Sequence, residues 1–355
     1  MARQLQPFRR FFLILFHGSV LVAWQRPSYI PDNYTLLLAG TVVLATLLPA
    51  RGAAAVGFEW LTTLAIAALF FLHGAKLSRA AIIAGAGHWR LHGLIFACTF
   101  LLFPLLGLAL GPVLRPLISE PLYMGVLYLC FLPSTVQSAI ALTSMARGNI
   151  SAAVCAASGS TLLGVFITPF LVEWWVSSGA GEVAIWESVG RILLQLMLPF
   201  FVGHLLRPWL EPVMARSRGL LMVVDRGSIL LVIYTAFSAA VLGGLWQQVD
   251  VGSIIMLIVL STALLAIVLA VSGWLGRRFG FDHADRVTIM LAASQKSLAS
   301  GVPMAQVLFA TPVVGMMVLP LMIYHQIQLM VCSVLAQRWG RQAMPAADEA
   351  AGYSR

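Results

Sequence analysis

Along most of this chain apolar residues run in unbroken tracts and do not alternate with polar ones. Tracts of about 17–25 residues cross a hydrocarbon core about 30 Å thick. The absence of a two-residue alternation excludes a membrane barrel and leaves helices, the other form whose backbone satisfies itself in lipid. The pattern predicts an all-α polytopic membrane protein with ten spans: 34–50, 57–77, 91–111, 121–146, 149–176, 185–206, 226–246, 252–276, 285–310 and 311–337. The loops between them are short and hold no soluble domain. A further apolar stretch, "FFLILFHGSVLVAW" at 11–24, is short for a span and is flanked by Arg3, Arg9, Arg10 and Arg26. It predicts an extra N-terminal helix lying on the inner membrane surface, with an uncleaved signal-like anchor as the alternative.

The spans divide into two halves of five, 34–176 and 185–337, joined by "SSGAGEVA" and flanked by an N-terminal segment 1–33 and a tail 338–355. An odd number of spans per half inserts the second half upside down relative to the first, the inverted repeat common among secondary transporters. The fourth span of each half is the one most interrupted by polar residues and proline.

The first interruption is "CFLPSTVQSAIALTSMARGN" (130–149), where Pro133 removes a backbone donor among Ser134, Thr135, Gln137, Ser138, Thr143 and Ser144. The second is "SQKSLASGVP" (294–303), where Ser294, Gln295, Lys296 and Ser297 precede Gly301 and Pro303, which are expected to weaken the helix. Unwound backbone at membrane depth is tolerated where it is buried in protein or lines a wet cavity, and two matched breaks suit the binding of a small ion or solute. The alternative is that the proline kink and hydroxyls serve helix packing.

Lys296 lies far from either end of its span. A central lysine costs about 2.5–3.5 kcal/mol on insertion scales. Four roles stay open: binding an anionic substrate, exchanging a proton, standing where another transporter holds Na⁺, or a structural cation paired with backbone carbonyls. The last span carries "LPLMIYHQIQLM" (319–330), in which His325 is a partner or proton relay, or equally a packing hydrogen bonder.

Composition agrees with the pattern: 60% of the 355 residues are hydrophobic and 10% charged, against roughly 25% charged in soluble domains. The net charge of +9 does not point to nucleic acid, because the arginines sit in short loops. Fourteen Lys and Arg residues fall on one set of loops and three (Arg51, Arg115, Arg191) on the other, which places the first set and both termini in the cytoplasm. Cys98, Cys130, Cys155 and Cys332 are scattered singly and read as small buried side chains. His88 and His92 have helical spacing beside Arg90 and read as interfacial anchors, with a metal site as the less favoured alternative. No hydrolase, kinase or metalloprotease pattern is present, so the chain is not expected to be an enzyme.

The segments "FLPSTVQSAIALTSMARGNISAAVCAASGSTLLGVFITP", "DRGSILLVIYTAFS", "SQKSLASGVPMAQVLF" and "LPLMIYHQIQLM" resemble the bile acid:sodium symporter superfamily, in its bacterial sodium-bile acid symporter-like branch. The resemblance covers about residues 34–340. It implies inverted five-helix repeats, a core of the third to fifth helix of each half moving against a panel of the first two, and helices four and nine crossing at broken centres. It also implies Na⁺ coupling. Better-known members read Pro-Gly-Gly-Thr-x-Ser-Asn in the first crossing helix; this chain reads Pro133, Ser134, Thr135, Val136, Gln137, Ser138, Ala139. In the second crossing helix their Glu position is Leu291, their Gln is Gln295 and their Asn is Lys296. A Gln on the third helix aligns with Thr99, and a Ser-Thr pair on the fifth with Ser160 and Thr161.

Na⁺ prefers hard oxygen ligands, and an ammonium ~4 Å away repels it by about 4 kcal/mol at an effective dielectric of 20. Lys296 is therefore read as supplying in place the charge that Na⁺ brings in relatives, with coupling to protons or none; Ser138, Thr161 and Gln295 remain for a weak Na⁺ site. The reading is a secondary active transporter for an organic, anionic solute working by alternating access in the inner membrane. Its partners are a small organic solute and the lipid bilayer, and it needs no cofactor beyond Na⁺ or H⁺. A membrane sensor or regulatory protein retaining the transporter fold is the alternative. The candidate binding residues are Pro133, Ser134, Thr135, Gln137, Ser138, Ser160, Thr161, Ser294, Gln295, Lys296, Ser297 and His325.

Overall fold

A computed structural model describes residues 33–76, 86–175, 193–309 and 311–342. The apolar stretch 11–24, the linker 177–184 and the loop residues Arg79 and Arg191 lie outside them. Among the described residues every regular element is helical. The chain begins with α1 (Asn33–Leu47), α2 (Gly52–Lys76) and α3 (Trp89–Ala109), then a single turn α4 (Gly111–Leu114). Next come α5 (Glu120–Phe131), α6 (Gln137–Met145) and α7 (Ile150–Trp175). After a π-helical turn (Leu193–Met197) follow α8 (Leu198–Arg216), α9 (Arg218–Leu242) and the short α10 (Leu245–Gln248). The chain closes with α11 (Val251–Arg278), α12 (His283–Ser294), α13 (Leu298–Leu308) and α14 (Thr311–Gln342).

Six of these, α2, α3, α7, α9, α11 and α14, are long and apolar enough to cross a membrane. Their outward faces stay apolar: Leu64, Phe170, Ile255 and Val259 are all exposed. Helices apolar on the inner and outer faces alike need lipid as their outer solvent, and the molecule is a polytopic helical membrane protein. Trp89, Trp174, Trp175 and Trp274, near the helix ends, are exposed, as aromatic belts are. Where chain re-enters a helix, side chains cap it. Asp250 accepts from the Ser253 N–H at 2.9 Å and Asp282 from the Asp285 N–H at 2.7 Å. Hydrogen bonds from Ser253, side chain and backbone, hold the exposed Asp250 carboxyl below its ordinary range.

Where the predicted spans lie within the described residues they coincide with helices; residues 185–192 of span 185–206 lie outside them. Span 121–146 divides into α5 and α6, and span 285–310 into α12 and α13. Two boundaries differ clearly: α9 begins at Arg218, eight residues before the expected start at 226, and α8 continues ten residues beyond the expected end at 206, through Pro208 and Pro212. Each proline removes one backbone bond, and both lie on the exposed side of the helix. α14 likewise runs to Gln342, past the expected end at 337.

Helices α1, α2, α8 and α9 pack on one another, and α9 also meets α13 and α14. The closest approach is between α2 and α8, where a Cβ at Gly74 would land on the Phe200 carbonyl and one at Gly203 on the Phe71 carbonyl. Small residues let membrane helices approach this closely. Gly74→Leu or Gly203→Leu should each destabilise the protein by about 1–3 kcal/mol through overpacking. In detergent this reads as a lowered thermal midpoint, whereas Gly40→Leu, which meets nothing within 4 Å, should leave the midpoint in place.

Candidate functional site

The two interruptions meet. Between α5 and α6, Leu132 is extended (φ −72°, ψ 152°), the conformation a following proline imposes. Between α12 and α13, Gln295 and Ser297 are extended in the same way. The Ser297 N–H donates to the Pro133 carbonyl at 2.9 Å, tying one break to the other. The Ser134 hydroxyl, from the first break, donates to the Ala292 carbonyl at 2.7 Å.

Unwinding leaves backbone groups without helical partners, and side chains from neighbouring helices take them up. The Thr168 hydroxyl on α7 donates to the Phe131 carbonyl at 2.7 Å. The Ser134 N–H, which would close on Cys130 in a continuous helix, donates to Ser160 Oγ at 2.9 Å. On α14, Tyr324 donates to the Ser294 carbonyl at 2.8 Å. The Gln328 amide accepts from the Lys296 N–H at 2.8 Å and donates to its carbonyl at 3.0 Å. The polar patch of the last span is thus the partner of the second break.

Lys296 completes the set. Its side chain is fully buried, and Nζ donates to the carbonyls of Thr99 (3.1 Å), Cys130 (2.9 Å) and Leu132 (2.6 Å). An ammonium has three donors, so each is matched. The Phe103 ring lies 4.1 Å from Nζ, a cation–π distance. Thr99 is available for a reason visible in α3. In the π-helical turn Cys98–Leu102 the Phe103 N–H bonds the Cys98 carbonyl instead of Thr99, and residue 104, which could take Thr99 in the wider turn, is a proline.

Beside the breaks lies a cavity of about 460 Å³, within the range of small-molecule sites. One wall is Thr135, Gln137 and Ser138 at the start of α6, Thr161 on α7, Ser297 and Ser300 at the start of α13, and His325 on α14. The opposite wall is Tyr34 on α1, His73 and Lys76 on α2, Phe200 on α8, and Asp225 and Arg226 on α9. The N-terminal ends of α6 and α13 both face this space and favour negative charge there.

The predicted site residues therefore separate into two groups. Thr135, Gln137, Ser138, Thr161, Ser297 and His325 line the cavity. Pro133, Ser134, Ser160, Ser294, Gln295 and Lys296 lie behind it, holding the breaks together, so direct contact between Lys296 and a solute in this cavity is not what the geometry provides. Gly301 and Pro303 do not make the second break. It falls on Gln295–Ser297, where Gln328 and Tyr324 supply substitute partners, and both residues stay inside α13. Gly301 instead allows close approach, since a Cβ there would strike Leu132 and Leu321.

Of the expected Na⁺ ligands, Ser138 and Thr161 give their protons to Gln295 Oε1 and the Ala157 carbonyl at 3.0 Å each, which leaves their oxygen lone pairs open. The Cys130 and Leu132 carbonyls, freed at the first break, are taken by Lys296. Sequence reasoning missed Tyr34, His73, Lys76, Asp225 and Arg226. Lys76 and Arg226 read as loop charges, and the signal that could have found them is the acidic-basic pair Asp225-Arg226 at the mouth of an apolar tract.

Comparison with known proteins places this geometry in context. A family model described as the SBF-like CPA transporter family matches residues 32–341. An uncharacterized protein of Pseudomonas aeruginosa is 56% identical over 323 residues, 91% of this chain and 97% of the relative. A protein of Escherichia coli K12 named "Putative symporter YfeH" is 56% identical over 313 residues, 88% of this chain and 93% of its own. The rat protein named "Sodium/bile acid cotransporter 7" is 28% identical over 278 residues, 77% of this chain and 81% of its own.

Lys296→Met should be strongly destabilising, about 3–5 kcal/mol, because it strands three buried carbonyls. Gln328→Leu, which frees one N–H and one carbonyl of Lys296, should cost about 2 kcal/mol. Thermal unfolding of the two variants in detergent checks both values and their order.

Proposed function

The chain belongs to the SBF-like CPA transporter family, and from that premise we propose that it is a secondary active transporter moving a small organic anion across the membrane by alternating access. One observation carries the reading: two unwound segments, tied by the bond from Ser297 to Pro133, back a cavity whose other wall comes from a separate group of helices. In this reading the ten spans form two inverted repeats, 34–176 and 185–337. Helices α1, α2, α8 and α9 are the panel, and the helices around the breaks are the moving core. Sliding one against the other would open the cavity to each side in turn.

The anionic class is supported by the N-terminal ends of α6 and α13 and by Lys76 and Arg226 on the facing wall, against one carboxylate, Asp225. The relatives' names bring forward sodium and a bile acid as candidates. At the breaks the residues favour a different arrangement, in which the Lys296 ammonium is the resident cation and Na⁺ has no well-formed seat. Coupling then falls to a proton. The bias of fourteen basic loop residues to three supports an inner-membrane location with both termini cytoplasmic.

Solute counterflow in proteoliposomes tests the reading. Vesicles preloaded with organic anions, among them cholate and monocarboxylates, should drive saturable uptake of the labelled anion. The variant Thr161→Leu, which narrows the cavity and gives up a bond within its own helix, should lower the flux at least about tenfold, equivalent to ~1.4 kcal/mol, with the thermal midpoint little changed. Absence of saturable flux for every anion in the set would count against transport.

A further inference from the structure

Among the described residues two charged side chains are buried, Lys296 and Asp225. Lys296 is fully matched by its three carbonyls. Asp225 is matched on one side only: Oδ2 accepts from Lys76 Nζ at 2.9 Å, while Oδ1 is buried with no hydrogen-bond partner. Asp225 is 7% exposed and stands on the cavity wall with Lys76. An ionised carboxylate with one oxygen unmatched in a buried place is costly, and that oxygen calls for a donor or a positive charge.

We propose that Asp225 is the proton-carrying group of this protein, an assignment that rests on the transport reading. A proton from the cavity binds Asp225 Oδ1 and converts the carboxylate to a carboxylic acid. Oδ2 then releases Lys76, and the freed ammonium takes the anionic group of the solute. Charge balances throughout: the Lys76–Asp225 pair is neutral before the exchange, and the Lys76–solute pair beside a neutral acid is neutral after it. Proton and anion therefore enter as a neutral couple, which avoids carrying net charge through the low-dielectric interior. On leaving, the solute returns Lys76 to Asp225, and the proton is released on the other side.

What distinguishes a proton from Na⁺ here is that a proton needs no shell of oxygen ligands. Lys76 lies against the carboxylate on α2, and Arg226 adjoins it on α9, its guanidinium 5.1 Å over the Tyr34 ring of α1. The neighbouring cations oppose a metal ion and a proton alike, but the proton becomes part of the carboxyl, and the solute anion that follows offsets the charge on Lys76. Among the other titratable or charged groups on the packed elements are His73 on α2, His204 (beside Gly74) and Arg207 on α8, and His325 on α14 across the cavity; from α13 the cavity receives the hydroxyl of Ser300 and its cap Ser297. His73 and His204 are the rival proton sites, since the Nδ1 of each is also buried without a partner; His73, on the same helix as Lys76, is the nearer in sequence to the pair.

Infrared difference spectra of the full chain in lipid vesicles, acid minus neutral, test the assignment. The wild type should gain a protonated-carboxyl band that Asp225→Asn loses, a loss of one carboxyl per chain, and that Asp225→Glu and His73→Gln retain. If Asp225→Asn does not fold with Lys76 unpaired, Lys76→Met/Asp225→Asn removes both charges and should lose the same band. A spectrum in which neither variant removes a band, or in which His73→Gln abolishes the change, overturns the proposal. The readout needs no solute, so its failure leaves the transport reading standing, and failed counterflow leaves the spectra unaffected.

Discussion

In lipid every backbone N–H and carbonyl needs a partner inside the protein, and the architecture follows from where this chain breaks that rule and how it repairs it. Two helices come apart at membrane depth, at Leu132–Val136 and Gln295–Ser297. The freed groups are taken by Thr168, Ser160, Tyr324, Gln328 and Lys296, each from a different position in the chain but all directed to the same few ångströms. The helices that carry these side chains are thereby fixed around the breaks, and the cavity is the space left where the two restarted helices begin.

Lys296 is the side chain that makes the arrangement close. A buried ammonium is expensive in isolation, but here it converges on three carbonyls that have lost their helical donors, one of them freed by the π-helical turn before Pro104. The same oxygens would otherwise be an inviting seat for a cation. With a covalently attached cation already there, those oxygens are not open to a mobile one; in the proposed cycle the charge that changes would sit on the facing wall, where Asp225 and Lys76 form a pair beside the cavity.

Much of this was legible in the sequence. The long apolar tracts located the helices, and Pro133 with its hydroxyl-rich surroundings located the first break. Lys296 stood out as a cost in need of an explanation, and pairing with backbone carbonyls was among the roles left open for it. What the sequence could not convey was direction. Thr135, Ser138 and Thr161 face the cavity while Ser134, Ser160 and Ser294 face away from it, although the two sets are neighbours in sequence and identical in chemistry. The side of the helix each presents depends on how far the unwound backbone turns, and that is decided by partners far along the chain, such as Gln328, 32 residues from Lys296, or Ala292, 158 residues from Ser134. Asp225 was overlooked for a related reason: a lone acid beside an arginine where an apolar tract begins looks like a loop charge, whereas α9 already starts at Arg218 and α2 brings Lys76 against the carboxylate.

The central claim is that an ammonium fixed at the breaks has taken the place of a coupling Na⁺. It is tested most directly by the thermal midpoint of the purified protein across a series of Na⁺ against choline at constant ionic strength. The account predicts no Na⁺-specific stabilisation in the wild type, and its appearance in the double variant Leu291→Glu/Lys296→Asn, which restores a carboxylate and removes the resident charge. Strong Na⁺ stabilisation of the wild type that disappears in Gln295→Ala would contradict it.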